Sequence, residues 1–161
     1  MPLSEIGEIV DGINYLSMDD LILINSLLIK LQTPKEPIQV RDKNSQGSSQ
    51  ARPSQYRYLA QTEDIFKLTA VLIESLIKNH PFANANKRTG MLSGYLFLLL
   101  NGQQLIAPQD QMIEMGVGIA LGKYDLFDIE SWLFNHSIEF DSRLLCVKND
   151  KPIERLIKEL I

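Results

Sequence analysis

The stretch KNHPFANANKRTGMLSGYLFLLLNG, Lys78 to Gly102, sets a polar turn between two apolar helical runs. Upstream, Ile65, Leu68, Leu72, Leu76 and Ile77 recur at helical spacing, and that stripe ends at Asn79. Downstream, Leu92, Tyr95, Leu96 and Leu99 form a second stripe, closed by Asn101-Gly102, a common helix stop. Both stripes are wide, so these two helices are expected to form the middle of the core. A buried connection between them has no need of His80, two asparagines and Lys87-Arg88.

One helix is expected to end near His80 and the next to begin near Asn86. A helix start carries unpaired N–H groups and a partial positive charge, so it attracts anions. Asn84, Ala85 and Asn86 are small enough to let a phosphate approach the backbone. Arg88 stands in the first helical turn, where a cation is unfavourable unless an anion sits in front of it. Lys87 adds a second positive charge. His80 is the residue nearby whose proton can move near neutral pH. Taken singly, the asparagines read as helix caps, His80 as a satisfied histidine at a helix end, and Lys87-Arg88 as a solvated face. Taken together, they read as a phosphate cradle beside a base, the constellation of phosphoryl or nucleotidyl transfer.

The rest of the chain extends the helical pattern. In SMDDLILINSLLIKL, Ser17 precedes Asp20 by three residues, as in a capping box, and Leu21, Ile24, Leu28 and Leu31 follow at helical spacing. Pro34 and Pro37 end that helix. Residues 34–62 are polar and lack a clear period, so they read as a long irregular loop, with at most a weak helix near Ser45 to Ala51. DQMIEMGVGIALGKYD is a fourth helix, whose Gly116, Gly118, Ala120 and Gly122 suggest close packing against a neighbour. DIESWLFNHSIEF is a fifth, with Trp132 in the core, His136 structural, and Asp125, Asp128 and Glu130 as first-turn charges. PIERLIKELI, from Pro152, is a short amphipathic tail helix. With no convincing strand pairs, the fold class is all-α, a bundle of about six or seven helices.

Length and composition set outer bounds. A chain of 161 residues suggests one domain, and 45% hydrophobic with 22% charged residues is ordinary for a soluble globular protein. A net charge of −4 argues against direct nucleic-acid binding, which favours a basic face. Cys146 is the sole cysteine, so no intramolecular disulfide forms. The longest apolar run, Tyr95 to Leu100, is too short to span a bilayer, and no signal-peptide pattern opens the chain. A cytoplasmic location without membrane contact is the expectation.

HPFANANKRTG resembles the signature of the Fic/Doc proteins, whose general form is H-x-F-x-(D/E/N)-(G/A)-N-(G/K)-R. His80, Phe82, Ala85, Asn86, Lys87 and Arg88 all match. The ANKRT version resembles the Doc (death-on-curing) branch more than the Fic branch, which usually reads GNGR. RDKNSQGSSQARP, Arg41 to Pro53, resembles a Doc-type stretch, as do ESLIKNHPF before the motif, FLLLNG after it and the small-residue helix at Gly116 to Gly122. The likeness covers roughly residues 17–138, giving a family domain over 1–140 and an extension over 141–161.

The resemblance implies an all-α enzyme that modifies a Ser, Thr or Tyr hydroxyl of a target protein. Fic members transfer AMP from ATP (AMPylation, by a nucleotidyltransferase), whereas Doc members act as kinases. His80 would be the general base and Phe82 the anchor of the loop. Ala85, Asn86 and Lys87 would line the anion hole, with Asn86 and Arg88 on phosphates. Arg52 and its surroundings would help to place target or nucleotide. The cofactor set is ATP with Mg²⁺, held in most members by an acid at position 84. Here Asn84 offers one neutral oxygen and no charge, which weakens a hard-cation site. The second arginine of Fic proteins would fall at Met91, and its absence disfavours AMP transfer. The Doc resemblance further implies a toxin of a toxin–antitoxin pair, restrained by an antitoxin, and suggests elongation factor Tu as target.

SEIGEI, Ser4 to Ile9, is the nearest fragment to the self-inhibitory S/T-x-x-x-E-G/N of some Fic proteins, but Ile9 breaks it and it reads as chance. Rival readings are weaker. A helical toxin ribonuclease would set an Arg five to seven residues before His80 or His136, and none stands there. A metal nuclease would hold its His and Asn on a strand-and-helix finger. The serious alternative is a catalytically impaired Fic-fold module that binds nucleotide or a protein partner without chemistry, and Asn84 is its main support.

Overall fold

Two helices sit at the centre of the fold, α3 (Ile65–Asn79) and α4 (Asn86–Leu100). The computed structural model describes residues 6–143. α1 (Met18–Gln32) and α5 (Gln109–Ala120) pack on α4, while α2 (Lys43–Ala60) and α6 (Leu126–Asn135) pack on α3. Thr89 to Leu99 are all buried, so α4 is enclosed on every side, as expected of a helix apolar all round. Its approach to α3 depends on two glycines one turn apart. A Cβ at Gly90 would lie 2.8 Å from Ile77 Cγ1, and one at Gly94 would collide with the Ile73 side chain. The all-α expectation holds, with six helices among the described residues. None of them is long and apolar enough to cross a membrane.

Local signals explain where the helices begin. Ser17 and Asp20 form a reciprocal capping box, Asp20 accepting from the Ser17 N–H at 2.8 Å and from the Gly7 N–H at 3.1 Å. Asp125 and Asp128 form another at the start of α6. The small residues of α5 allow the expected close approach: a Cβ on Gly116 would stand 3.3 Å from Met91 Cγ of α4, and one on Gly118 would enter the Tyr124 ring.

Residues 34–62 depart from the irregular loop expected of them. Asp42 accepts from the Asn44 and Ser45 N–H groups and starts α2, an 18-residue helix. The buried face of α2 is Gln46, Ser49 and Pro53, at helical spacing but polar, which hides the period from a hydrophobicity reading. Tertiary bonds replace the missing apolar stripe. Gln46 donates to Met18 O at 3.0 Å, Gln50 to Leu16 O at 3.1 Å, and Ser49 to Ser75 O at 3.3 Å. Pro53 lies inside this helix.

Two antiparallel strand pairs also depart from the expectation of no strand pairs. β1 (Glu8–Val10) pairs antiparallel with β2 (Ile13–Tyr15) through Asp11-Gly12, both at positive φ, as a two-residue turn of that hand requires. β3 (Gln103–Leu105) pairs with β4 (Ser137–Glu139) and ties the end of α4 to the end of α6. Strands of three residues are too short to show alternation in sequence. The fifth helix is correspondingly shorter than expected and stops at Asn135. His136 caps it, its Nδ1 2.7 Å from Trp132 O, with its ring 5.0 Å from the indole. Trp132 is partly buried at the edge of the core. Glu8 and Ile9 of SEIGEI lie in β1, so that fragment forms no inhibitory helix there. The expected tail helix from Pro152 lies outside the described residues.

Candidate functional site

The turn between α3 and α4 is built on two residues in the left-handed region, His80 (φ 47°) and Ala85 (φ 62°). His80 ends α3 and is exposed. Pro81 and Phe82 turn inward, and Phe82 is 2% exposed. Asn86 then closes the turn, accepting from the Phe82 N–H at 3.0 Å and donating to the Phe82 carbonyl at 2.9 Å. The Asn86 amide is thereby committed to the loop.

Ala85 stands at the start of α4, and no side chain caps that start. The first bond closed within the helix is from the Thr89 N–H to Ala85 O. The N–H groups of Asn86, Lys87 and Arg88 therefore face outward at the positive end of the helix dipole. A left-handed residue followed by right-handed ones makes a concave ring of N–H groups suited to a phosphate oxygen. Three of the expected site residues, Asn86, Lys87 and Arg88, carry the N–H groups of that ring, and the exposed His80 lies across the turn from it.

The connection from α1 to α2 is stitched along this turn. Val40 forms a bridge with Phe82, Ala83 N–H donates to Gln39 O at 2.9 Å, and Arg41 N–H donates to Pro81 O at 2.8 Å. Asn84 Nδ2 donates to Pro37 O at 2.9 Å. Arg88 pairs with Glu36 at 3.2 Å and donates to Gln32 Oε1 at 2.8 Å and to Thr33 Oγ1. From below, the buried Asn25 of α1 donates to Asn84 O at 2.9 Å and to Thr89 Oγ1 at 3.0 Å. None of Asn25, Gln32, Thr33, Glu36 or Gln39 is singled out by sequence reasoning, because their partners lie about 50 residues away in the chain. The polar Asn25 within an apolar stripe was the one available signal.

Beside Arg88 opens a groove of about 190 Å³. Leu28 of α1, Met91 and Leu92 of α4, and Met112, Ile113 and Val117 of α5 line it, with Lys87 and Arg88 at its edge. An apolar slot that adjoins an anion cradle can take a molecule with one flat apolar end and one charged end. Met91, at the position of the absent second arginine, forms part of this apolar wall. Arg52 is exposed on α2.

The residues do not fit a divalent cation held by the protein. No group of three His, Cys, Asp or Glu residues that could hold a metal occurs among the described residues. The Asn84 amide nitrogen is engaged by Pro37, leaving one neutral oxygen, and the nearby Glu36 carboxylate is engaged by Arg88 and Thr33. Hard cations of this kind need carboxylate charge.

The model of the Fic/DOC family matches residues 15–98, from β2 through nearly all of α4. The chain is similar to the toxin Doc of Mycolicibacterium smegmatis, 30% identical over 97 residues, which is 60% of this chain and 71% of that protein. It is also similar to the protein kinase doc of Escherichia phage P1, 31% identical over 70 residues. That match spans 44% of this chain and about half, 55%, of the phage protein. A matched segment that begins before α1, carries the whole His80-to-Arg88 turn and ends inside α4 takes in every residue of the cradle, and on that ground the chain belongs to the Fic/DOC family.

Proposed function

We propose that this protein is a Doc-like toxin that transfers the γ-phosphate of ATP onto a Ser, Thr or Tyr hydroxyl of a target protein. The observation that carries the reading is the uncapped start of α4, with the exposed His80 imidazole across the turn. His80 accepts the hydroxyl proton as the hydroxyl oxygen forms its bond to the γ-phosphorus. The bond from that phosphorus to the β–γ bridging oxygen breaks, and ADP leaves. The N–H groups of Asn86, Lys87 and Arg88 stabilise the charge that builds on the phosphoryl oxygens, and the Lys87 and Arg88 side chains hold the remaining phosphates. The groove at Leu28, Met91 and Met112 takes the nucleoside. AMP transfer would use the same cradle with the nucleotide reversed, and the apolar Met91 is unsuited to hold the extra phosphates that this requires.

The relatives named above are a protein kinase and a toxin. Their names support a protein-modifying toxin, and the proposal places it in the cytoplasm as one half of a toxin–antitoxin pair, restrained by an antitoxin protein. Elongation factor Tu is the proposed target. A second reading has its own observation: Asn84 is tied to Pro37 and offers no charge to Mg²⁺, as a module that binds nucleotide without chemistry would allow.

The test is label transfer from ATP to lysate proteins. Label from the γ position alone is expected on a protein band. Label from the α position would mean AMP transfer. Nucleotide binding with no label from either position would favour the binding module.

A further inference from the structure

The Arg88 guanidinium is the side chain best suited to a phosphate in the cradle, yet it already has an anion. Glu36 Oε2 sits 3.2 Å from Arg88 Nη2. The contact is built and not incidental. Thr33 Oγ1 donates to Glu36 Oε2 at 2.8 Å, and Glu36 N–H donates to Thr33 O at 2.9 Å, so the carboxylate is aimed by its own turn. The following residue, Pro37, takes the Asn84 amide. Glu36 and Pro37 thus engage two residues of the cradle from one short segment. Both ion-pair partners remain partly solvated, at 34% and 40% side-chain exposure, so the pair can open without burying a charge.

We infer that Glu36 is an internal counter-anion that occupies Arg88 and lowers the affinity of the cradle for nucleotide phosphate. This deepens the proposed function and rests on its nucleotide reading. An arriving phosphate competes with the carboxylate for the same guanidinium and is repelled by it, because two anions a few ångströms apart disfavour one another. Nucleotide binding at Arg88 therefore requires the Glu36 carboxylate to give up the guanidinium.

The experiment is calorimetric titration of the full chain with ATP, for the wild type, Glu36→Gln and Glu36→Ala, with thermal melts to establish that each variant is folded. Both variants are expected to bind ATP roughly 3- to 10-fold more tightly than the wild type, with the gain shrinking as salt is raised. The gain is expected to vanish when Arg88 is also changed to Gln. Unchanged or weaker binding in both folded variants, against measurable wild-type binding, would overturn the inference and leave the nucleotide reading standing. No ATP binding by any folded form, wild type included, would overturn both.

Discussion

The Asn86 side chain bonds both backbone groups of Phe82, at 3.0 Å from its N–H and 2.9 Å from its carbonyl. One amide thus converts the turn between α3 and α4 into a closed ring, and it can do so because it offers a donor and an acceptor four residues from its partner. Asn86→Ala removes both bonds and is expected to cost about 1–3 kcal/mol. Asn86→Asp keeps the bond to the N–H but turns a second oxygen on the Phe82 carbonyl, so it too destabilises. Thermal melts read the loss, and faster amide exchange at Phe82 locates it. A wild-type exchange rate at Phe82 in Asn86→Ala would contradict this role.

Asn25 supports the same turn from the core. It is 1% exposed and donates to Asn84 O and Thr89 Oγ1. Asn25→Leu keeps the volume and leaves both acceptors unpaired, at an expected cost of about 2–3 kcal/mol. Chemical denaturation measures it. If Asn25→Leu were as stable as the wild type, the amide would be a passenger in the α1 stripe.

Gly94 sets the distance between the two central helices. A methyl group there would meet Ile73, which is fully enclosed. Gly94→Ala is therefore expected to destabilise by about 1–3 kcal/mol. In an exposed helix the same change would gain about 1 kcal/mol, so the sign of the effect distinguishes packing from propensity.

Burial pushes the Glu130 carboxyl above the usual carboxylate range; Lys67 pulls it down and Asp64 pushes it up. The folded state then holds the proton more tightly than the unfolded state. The stability contributed by the protonated form is fully present below the unfolded pKa and is lost as pH rises through the raised folded value. Glu130→Gln is expected to raise the melting temperature slightly near neutral pH, and to leave it unchanged near pH 3, where both states are protonated. An equal difference at both pH values would assign the effect to hydrogen bonding instead.

The helices that carry apolar stripes were legible in the sequence because burial and period coincide in them. Ser17 with Asp20 marked the start of α1, and Asn101-Gly102 the end of α4. The turn from His80 to Arg88 stood out in the sequence because an arginine in a first helical turn is out of place without an anion. α2 was not legible, since Gln46 and Ser49 are buried through hydrogen bonds that only the folded chain supplies. Asp11-Gly12 was a usable hairpin signal, and it was missed because the flanking strands are short. Glu36 could not be read at all, as its tie to Arg88 crosses 52 residues.

The most direct test concerns His80. Its side chain is exposed and its backbone is left-handed, so His80→Gly relieves the turn while removing the imidazole. The measurement is transfer of label from γ-labelled ATP to protein, for the wild type, His80→Ala and His80→Gly, with ATP binding and melting temperature recorded for each. Loss of label by about 100-fold or more in both folded, ATP-binding variants is the expected result. Label transfer at the wild-type rate in either variant would contradict a general base at His80 and move the chemistry elsewhere in the cradle.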